Sequence, residues 1–291
     1  MPLPEACQTG GAVGDPPRLI DLRPGGRGGE IAAWLCGDVL VDCGPTVSAD
    51  QLCAQLGDTR PRVLLLTHIH LDHAGAAGTL VGRWPELEVH VHPIGLPHLA
   101  DPTKLVASAT RIYGDLMDTL WGPVESVPTR NLRPVADGTE IEGFVAAHTP
   151  GHASHHVAYF RPGSSEAFPG DAAGVRLEGT DLIVPHAPPP DIDLEAWDRS
   201  LDALAAWRPK TLCLPHFGAI DDADGHIAAM REVLHRKAEL ARESAADGFV
   251  AAAESDLDAL GDPALAEHYR NAAPAEHSYL GLRRYWDKRA Q

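Results

Sequence analysis

Metal-binding side chains are concentrated in one short stretch of the sequence. Residues 67–75 read THIHLDHAG, so His68, His70, Asp72 and His73 fall within six positions, directly after the apolar run RVLLL. In an extended strand end, side chains two positions apart point the same way, so His68 and His70 can chelate one cation. The turn that follows can carry Asp72 and His73 towards a second point. Such groups are costly at a strand end unless a cation satisfies them.

Three further candidate ligands each follow a predicted strand. His152 lies after a Thr-Pro-Gly turn in AAHTPGHASHH, Asp171 lies between small residues in SEAFPGDAAG, and His216 ends the apolar run of TLCLPHFGAI. Taken singly, His152 is equally typical of a turn and Asp171 of a helix cap. A carboxylate offers two oxygens and can bridge two ions. Together with the first cluster, these residues predict one metal site built at several strand ends.

The elements that must position these residues are indicated by apolar patterns. In the first half, strands are predicted over RLIDLRP, EIAAWLCGDVLVDCGP, RVLLLTH and LEVHVHP, and helices over SADQLCAQLGD, capped at Ser48, and DHAGAAGTLVGRWP. In the second half, strands are predicted over EIEGFVAAHT, HHVAYFRP, SEAFPGD and TLCLPHF, with a helix over DLEAWDRSLDALAAWRP. This order predicts a layered α/β fold.

Three parts of the chain are distinguished. Residues 1–17 are rich in Gly and Pro and are predicted to be a flexible N-terminus, residues 18–220 a catalytic domain, and residues 221–291 a small helical subdomain. Residues 101–122 are predicted to form a helical arm or lid. Its aromatic side chains, Tyr113 and Trp121, either form an apolar substrate wall or pack helices together.

The remaining histidines are assigned less central roles. His155 is predicted to hydrogen-bond a ligand or an aspartate, and His156, at the start of an apolar strand, to be structural. His92, His98 and His186 are interpreted as surface residues that could line a pocket.

Charge and composition restrict the partners. With 24 Lys and Arg against 41 Asp and Glu, the net charge is −17, which argues against binding nucleic acid or anionic lipid. The five cysteines include no CxxC pair and are interpreted as reduced thiols. No signal peptide or long apolar span is recognised. We therefore expect a cytoplasmic protein with a small-molecule substrate, and leave a homo-oligomer open.

With these four segments in this order, the sequence resembles the metallo-β-lactamase superfamily over about residues 18–220, and in particular its glyoxalase II-like branch. The resemblance implies an α/β (α+β) fold: an αββα four-layer sandwich with the metal site at one edge between two sheets, followed by a small C-terminal helical subdomain. It also implies seven ligands, which are His68, His70 and His152 for one metal ion, Asp72, His73 and His216 for a second, and Asp171 as the bridge.

The resemblance further implies two divalent metal ions, with zinc favoured and iron or manganese as alternatives. Two such ions can share a hydroxide near neutral pH, which attacks a carbonyl or phosphoryl centre. Asp72 is the predicted catalytic residue, orienting the hydroxide and carrying a proton to the leaving group. The predicted function is therefore a dinuclear metallohydrolase that cleaves a small ester, thioester or lactone.

Other functions within the same superfamily stay open. Glyoxalase II shares T-H-x-H-x-D-H, T-P-G-H and the G-D bridge, but its usual final motif, G-H-E-Y-T, is replaced here by LPHFGAI. A lactonase would carry a Tyr just after the bridging Asp, and GDAAGVRL has none. A mononuclear iron persulfide dioxygenase would use only His68, His152 and Asp171. A phosphodiesterase or nuclease, and a non-catalytic binding module stabilised by metal, are the remaining alternatives.

Overall fold

The computed structural model of the protein describes residues 15–290, so the predicted flexible N-terminus lies almost entirely outside the described residues. Within that range the chain forms two six-stranded sheets. Helices cover the outer face of each sheet, and apolar side chains fill the space between the two sheets.

The first sheet comes from the N-terminal half. In spatial order its strands are β1 (Arg18–Asp21), β2 (Ala32–Cys36), β3 (Val39–Val41), β4 (Val63–Leu65), β5 (Glu88–Val91) and β6 (Leu132–Pro134). The neighbours from β3 to β6 are parallel, and parallel strands need crossovers. The crossover helices are α1 (Ala49–Leu56), α2 (Leu71–Ala74), α3 (Ala77–Arg83), α4 (Leu96–Ala100), α5 (Thr103–Tyr113) and α6 (Met117–Leu120).

The second sheet comes from the middle of the chain. Its strands are β7 (Glu140–Ile141), β8 (Phe144–His148), β9 (Val157–Arg161), β10 (Glu166–Phe168), β11 (Thr211–Leu214) and β12 (Gly218–Ile220), again in spatial order. β10 and β11 are parallel and are joined through α7 (Leu194–Ala206), whereas the other neighbours are antiparallel.

Alternation along the strands explains the four layers. In β2, Trp34 packs between the sheets and Leu35 faces the outer helices. In β9, Tyr159 packs between the sheets and Phe160 faces the helices on the other side. Because successive strand side chains point to opposite faces, an all-apolar strand is suited to burial on both faces. The predicted αββα sandwich is confirmed.

Four helices complete the chain: α8 (Ala223–Glu243), α9 (Ala246–Asp258), α10 (Pro263–Ala272) and α11 (Ala275–Arg289). Asp222 caps α8 by accepting a hydrogen bond from the Gly225 amide. Met230 of α8 and Trp197 of α7 belong to one buried cluster, so these helices extend the outer layer of the second sheet. Among residues 15–290, none of the helices has both the length and the apolar character that a membrane crossing requires.

Two local predictions are wrong. The segment EIEGFVAAHT is not one strand, because it turns at Gly143, which has a φ of 83°, and so divides into β7 and β8. Ser48 does not cap α1 through its side chain. It ends a 3₁₀ turn, Thr46–Ser48, in the right-handed helical region, whereas a capping residue is normally extended. The separation of residues 221–291 as a subdomain stays a prediction.

Candidate metal centre

The seven predicted ligands follow strands whose carboxyl ends meet at one edge of the sandwich. His68 and His70 lie just beyond β4, and Asp72 and His73 lie in α2, which begins at once. In the second sheet, β8 and β10 are both antiparallel to β9, and β11 is parallel to β10, so their carboxyl ends share an edge. The segments after these three strands carry His152, Asp171 and His216.

One group of ring nitrogens is formed by three histidines. His68 Nε2 and His152 Nε2 each lie 3.0 Å from His70 Nδ1. Ring nitrogens approach this closely only when a proton or a cation lies between them. The three side chains therefore form a group that could hold a metal ion.

A second group lies beside the first. His73 Nε2 and His216 Nε2 are 3.3 Å apart, and Asp72 Oδ2 lies 3.4 Å from each. This group also has the arrangement needed to hold a metal ion. Its members follow β4 and β11, so the two sheets contribute to it jointly.

Asp171 faces both groups at once. Its Oδ2 lies 3.5 Å from His152 Nε2, and its Oδ1 lies 3.3 Å from His73 Nε2. Both oxygens are buried, and neither accepts a hydrogen bond from the described residues. A buried carboxylate without hydrogen bonds is expensive, and a cation on each side would remove that cost.

Backbone carbonyls orient two of the imidazoles. His152 Nδ1 donates to the His186 carbonyl at 2.8 Å, and His216 Nδ1 donates to the Glu30 carbonyl at 2.7 Å. Since a carbonyl can only accept, the hydrogen sits on Nδ1 and the lone pair of Nε2 faces the centre.

Asp42 orients the histidines on the other side of the centre. Its carboxylate accepts hydrogen bonds from His73 Nδ1 at 2.9 Å and from the Thr67 hydroxyl at 2.8 Å. Because Thr67 gives its only hydroxyl hydrogen to Asp42, its oxygen is left to accept from His68 Nδ1 at 3.1 Å. Both Nε2 lone pairs are therefore aimed at the centre.

The sequence interpretation missed Asp42. It is buried, directly follows β3, and has a φ of 56°, a left-handed conformation that Asp tolerates better than most residues. An acidic side chain at the end of the apolar strand DVLVDCG was the available signal. Nothing in the sequence reports the contributions of Glu30 and His186, which act through backbone carbonyls.

The electric field in the centre favours positive charge. Burial alone would lower the pKa of His73, yet three carboxylates raise that pKa well above its ordinary value. They belong to Asp171, Asp72 and Asp42. Burial opposes ionisation of Asp72 and Asp171, but the neighbouring histidines, His73 first, hold the pKa of each carboxyl well below its usual range. Ionised carboxylates and imidazole lone pairs are the donor set of Zn, Fe and Mn sites, so these residues fit a divalent cation.

Two open clefts meet at Asp72. The α5 cleft, of about 330 Å³, is lined by one face of α5 and reaches His70. The C-terminal cleft, of about 320 Å³, is lined by residues of α10 and reaches His216. Tyr113 and Trp121 line both clefts and also pack edge to face, with ring centroids 5.0 Å apart. The packing role is therefore present, whereas the role of a substrate wall stays a prediction.

The other histidines lie around the centre in different ways. His155 lines the α5 cleft 5.8 Å from the His70 ring, and its buried Nδ1 has no hydrogen-bond partner among the described residues, so it does not bond a ligand through that atom. His156 Nδ1 bonds the Thr149 hydroxyl at 2.8 Å, as expected of a structural residue. His186 is not a surface residue, because it is buried beside His152, but it lines both clefts, and His98 lines the α5 cleft, as the sequence interpretation allowed.

An αββα sandwich with paired His and Asp groups at one sheet edge defines a class of metal-binding proteins. The chain matches the metallo-beta-lactamase superfamily over residues 37–216, and it belongs to that superfamily. It is 25% identical over 122 residues to a hydroxyacylglutathione hydrolase of Legionella pneumophila (strain Lens), a match that covers 40% of this chain and 36% of the Legionella protein. It is also 25% identical over 207 residues to the probable metallo-hydrolase YflN of Bacillus subtilis (strain 168), covering 61% of this chain and 74% of that protein.

Solved structures show the same fold. The archaeal metallo-beta-lactamase superfamily protein ST1585 from Sulfolobus tokodaii is 25% identical, with a TM-score of 0.63 over 76% of this chain and 85% of that one. TTHA1623 in a di-iron-bound form is 30% identical, with a TM-score of 0.50 over 63% of this chain and 83% of that one. Most members of this superfamily are hydrolases, and members bind divalent metals.

Proposed function

We propose that the protein is a dinuclear metal-dependent hydrolase of a small ester, thioester or lactone. The observation that carries the proposal is Asp171, whose two buried oxygens accept no hydrogen bond from residues 15–290 and face two separate groups of ligands. One ion would be held by His68, His70 and His152, the other by Asp72, His73 and His216, with Asp171 between them. When bound, such a pair supplies Lewis acidity towards a carbonyl oxygen and lowers the pKa of water to near 7.

Asp72 is the residue proposed to move a proton. Its side chain is 17% exposed and lines both clefts, whereas that of Asp171 is only 1% exposed. Asp72 is therefore the carboxylate of the centre that a bound substrate can reach. It would take a proton from the attacking water and pass it to the leaving oxygen or sulfur.

Several observations support a small-molecule substrate. The two clefts have the size of small-ligand sites, and a net charge of −17 disfavours a nucleic-acid substrate. Relatives named hydroxyacylglutathione hydrolase favour a thioester among the candidates. Iron is as reasonable a metal as zinc, since the similar TTHA1623 carries two irons.

Metal analysis and turnover together test the proposal. We expect two divalent ions per chain and hydrolysis of simple ester, thioester or lactone substrates. Asp171→Asn should reduce the metal content and lower kcat by at least about a hundredfold, while Asp58→Asn, at an exposed residue just beyond α1, should change neither. A single iron with oxygen uptake on a persulfide substrate would instead identify a dioxygenase and overturn the proposal.

A further inference from the structure

One face of α5 forms a wall of the α5 cleft. The residues on this face are Lys104, Leu105, Ser108, Ala109, Ile112 and Tyr113. Their spacing of three to four residues is that of a single helix face. Tyr113 lies at the metal end, because it also lines the C-terminal cleft beside Asp72, and Lys104 lies at the opposite end.

The wall is long, and its residues change from a charged side chain at one end to apolar or small side chains along the rest. Tyr113 lies nine positions after Lys104, and at 1.5 Å per residue this corresponds to about 13.5 Å along the helix axis. Between them the wall is apolar or small, with Leu105, Ala109 and Ile112, and Ile94 extends the apolar lining. An extended apolar chain is the shape that such a channel accommodates.

The two charged ends of the cleft differ in sign. Lys104 is exposed and forms no ion pair with any residue of 15–290. The neighbouring Asp101 has its pKa lowered by hydrogen bonds from Thr103 and also by the charge of Lys104, so a substrate anion would compete with Asp101 for that charge. Asp191 accepts a hydrogen bond from the Ser154 hydroxyl at 2.6 Å, next to His155, whose ring lies 5.8 Å from that of His70, so Asp191 lies at the metal side. A substrate anion would be repelled beside Asp191 and attracted beside Lys104.

We propose that the α5 cleft binds the acyl part of the substrate, and that this acyl part is an apolar chain ending in a carboxylate paired with Lys104. This inference rests on the proposed function. Hydrolysis then breaks the acyl–oxygen or acyl–sulfur bond, joins the water oxygen to the acyl carbon and gives one water proton to the leaving atom. The product is a dicarboxylate, and no oxidant or reductant is consumed.

Charge reversal on α5 tests the inference. We would compare an ω-carboxyacyl ester with the uncharged acyl ester of equal chain length. Lys104→Glu should lower kcat/KM for the carboxylated ester by about tenfold and leave the uncharged ester within about twofold. Arg111→Glu makes the same charge change on the same helix outside the cleft, and should affect neither ester. Equal effects of the two variants, or equal loss for both esters, would overturn the inference.

A binding measurement separates this inference from the proposed function. Calorimetry with the metal-loaded protein should show tighter binding of a linear dicarboxylate than of the monocarboxylate of equal length, and Lys104→Glu should remove the difference. Ser108→Phe should shorten the longest chain that binds, whereas Ala107→Phe, outside the cleft, should not. If uncharged esters are hydrolysed but the dicarboxylate binds no more tightly than the monocarboxylate, the inference about Lys104 is refuted and the proposed function is not. If no ester, thioester or lactone is hydrolysed and the two acids bind equally, both proposals fail.

Discussion

The carboxylate of Asp42 accepts a hydrogen bond from His73 Nδ1 at 2.9 Å, although 31 residues separate the two in the chain. The contact joins the end of β3 to α2 and is fully buried. It fixes the tautomer and the orientation of an imidazole that shares the centre with Asp72 and Asp171. A residue outside the seven candidate ligands thus decides where one of them points.

We expect Asp42→Asn to weaken metal binding at the group that contains His73. The amide nitrogen would face either His73 Nδ1 or the Thr67 backbone N–H, and each of these already donates. The loss should be about 10- to 100-fold in affinity for one of two ions. Competition with a chromogenic chelator measures it. Asp38→Asn is the control, because Asp38 is half exposed and pairs only with Arg62 among the described residues; an unchanged affinity in Asp42→Asn would contradict the expectation.

Removal of metal should destabilise the protein. The two buried oxygens of Asp171 accept no hydrogen bond from the described part of the chain, and a ligand that binds only the folded state stabilises by about 2.7 kcal/mol at a hundred times its Kd. Calorimetry should therefore show a lower Tm after chelation and recovery on adding zinc, iron or manganese. Asp171→Asn should reduce the difference in Tm between the metal-loaded and metal-free forms. A Tm that does not respond to chelation would show that the centre is not loaded in the folded protein.

The C-terminal helices should stabilise the centre through Glu30. Its carboxylate is 3% exposed and accepts hydrogen bonds from His268 Nδ1 at 2.8 Å and Asn271 Nδ2 at 3.2 Å, both on α10. Its backbone carbonyl accepts from His216. Glu30→Gln should lower the free energy of unfolding by about 1–3 kcal/mol and reduce metal retention. Denaturant titration measures the former, and Glu267→Gln, an exposed residue of α10, should stay within about 0.5 kcal/mol of wild type.

The candidate ligands could be predicted because each follows an apolar strand, and strand ends meet at a sheet edge whatever the details of packing. The αββα fold followed from the same apolar patterns together with the resemblance. Asp42 and Glu30 could not be predicted, because their contacts join residues 31 and 186 positions apart. The orientation of the α5 face could not be predicted from the sequence either. Helical spacing shows which residues share a face but not what that face covers.

The turn that places His152 should not tolerate a side chain at Gly151. This glycine has a φ of 135°, and a Cβ built on it would lie 2.4 Å from Trp197 Cα and 2.5 Å from Trp197 N, which are backbone atoms of α7. Because α7 is fixed by the buried Trp197 ring, whose Nε1 donates to the Ala172 carbonyl at 2.8 Å, the helix cannot easily withdraw. We expect Gly151→Ala to cost more than about 3 kcal/mol of unfolding free energy and to displace His152.

Gly138→Ala provides the matched control for this prediction. Gly138 also has a positive φ, 75°, but a Cβ there would meet no atom of residues 15–290 within 4 Å. Its substitution should therefore cost only the backbone strain, about 1–2 kcal/mol, and leave metal content unchanged. Denaturant unfolding and metal analysis of the two variants distinguish the cost of backbone strain from the cost of a steric clash with α7. Equal losses of stability would mean that backbone strain alone accounts for Gly151, and that α7 can move away from the turn.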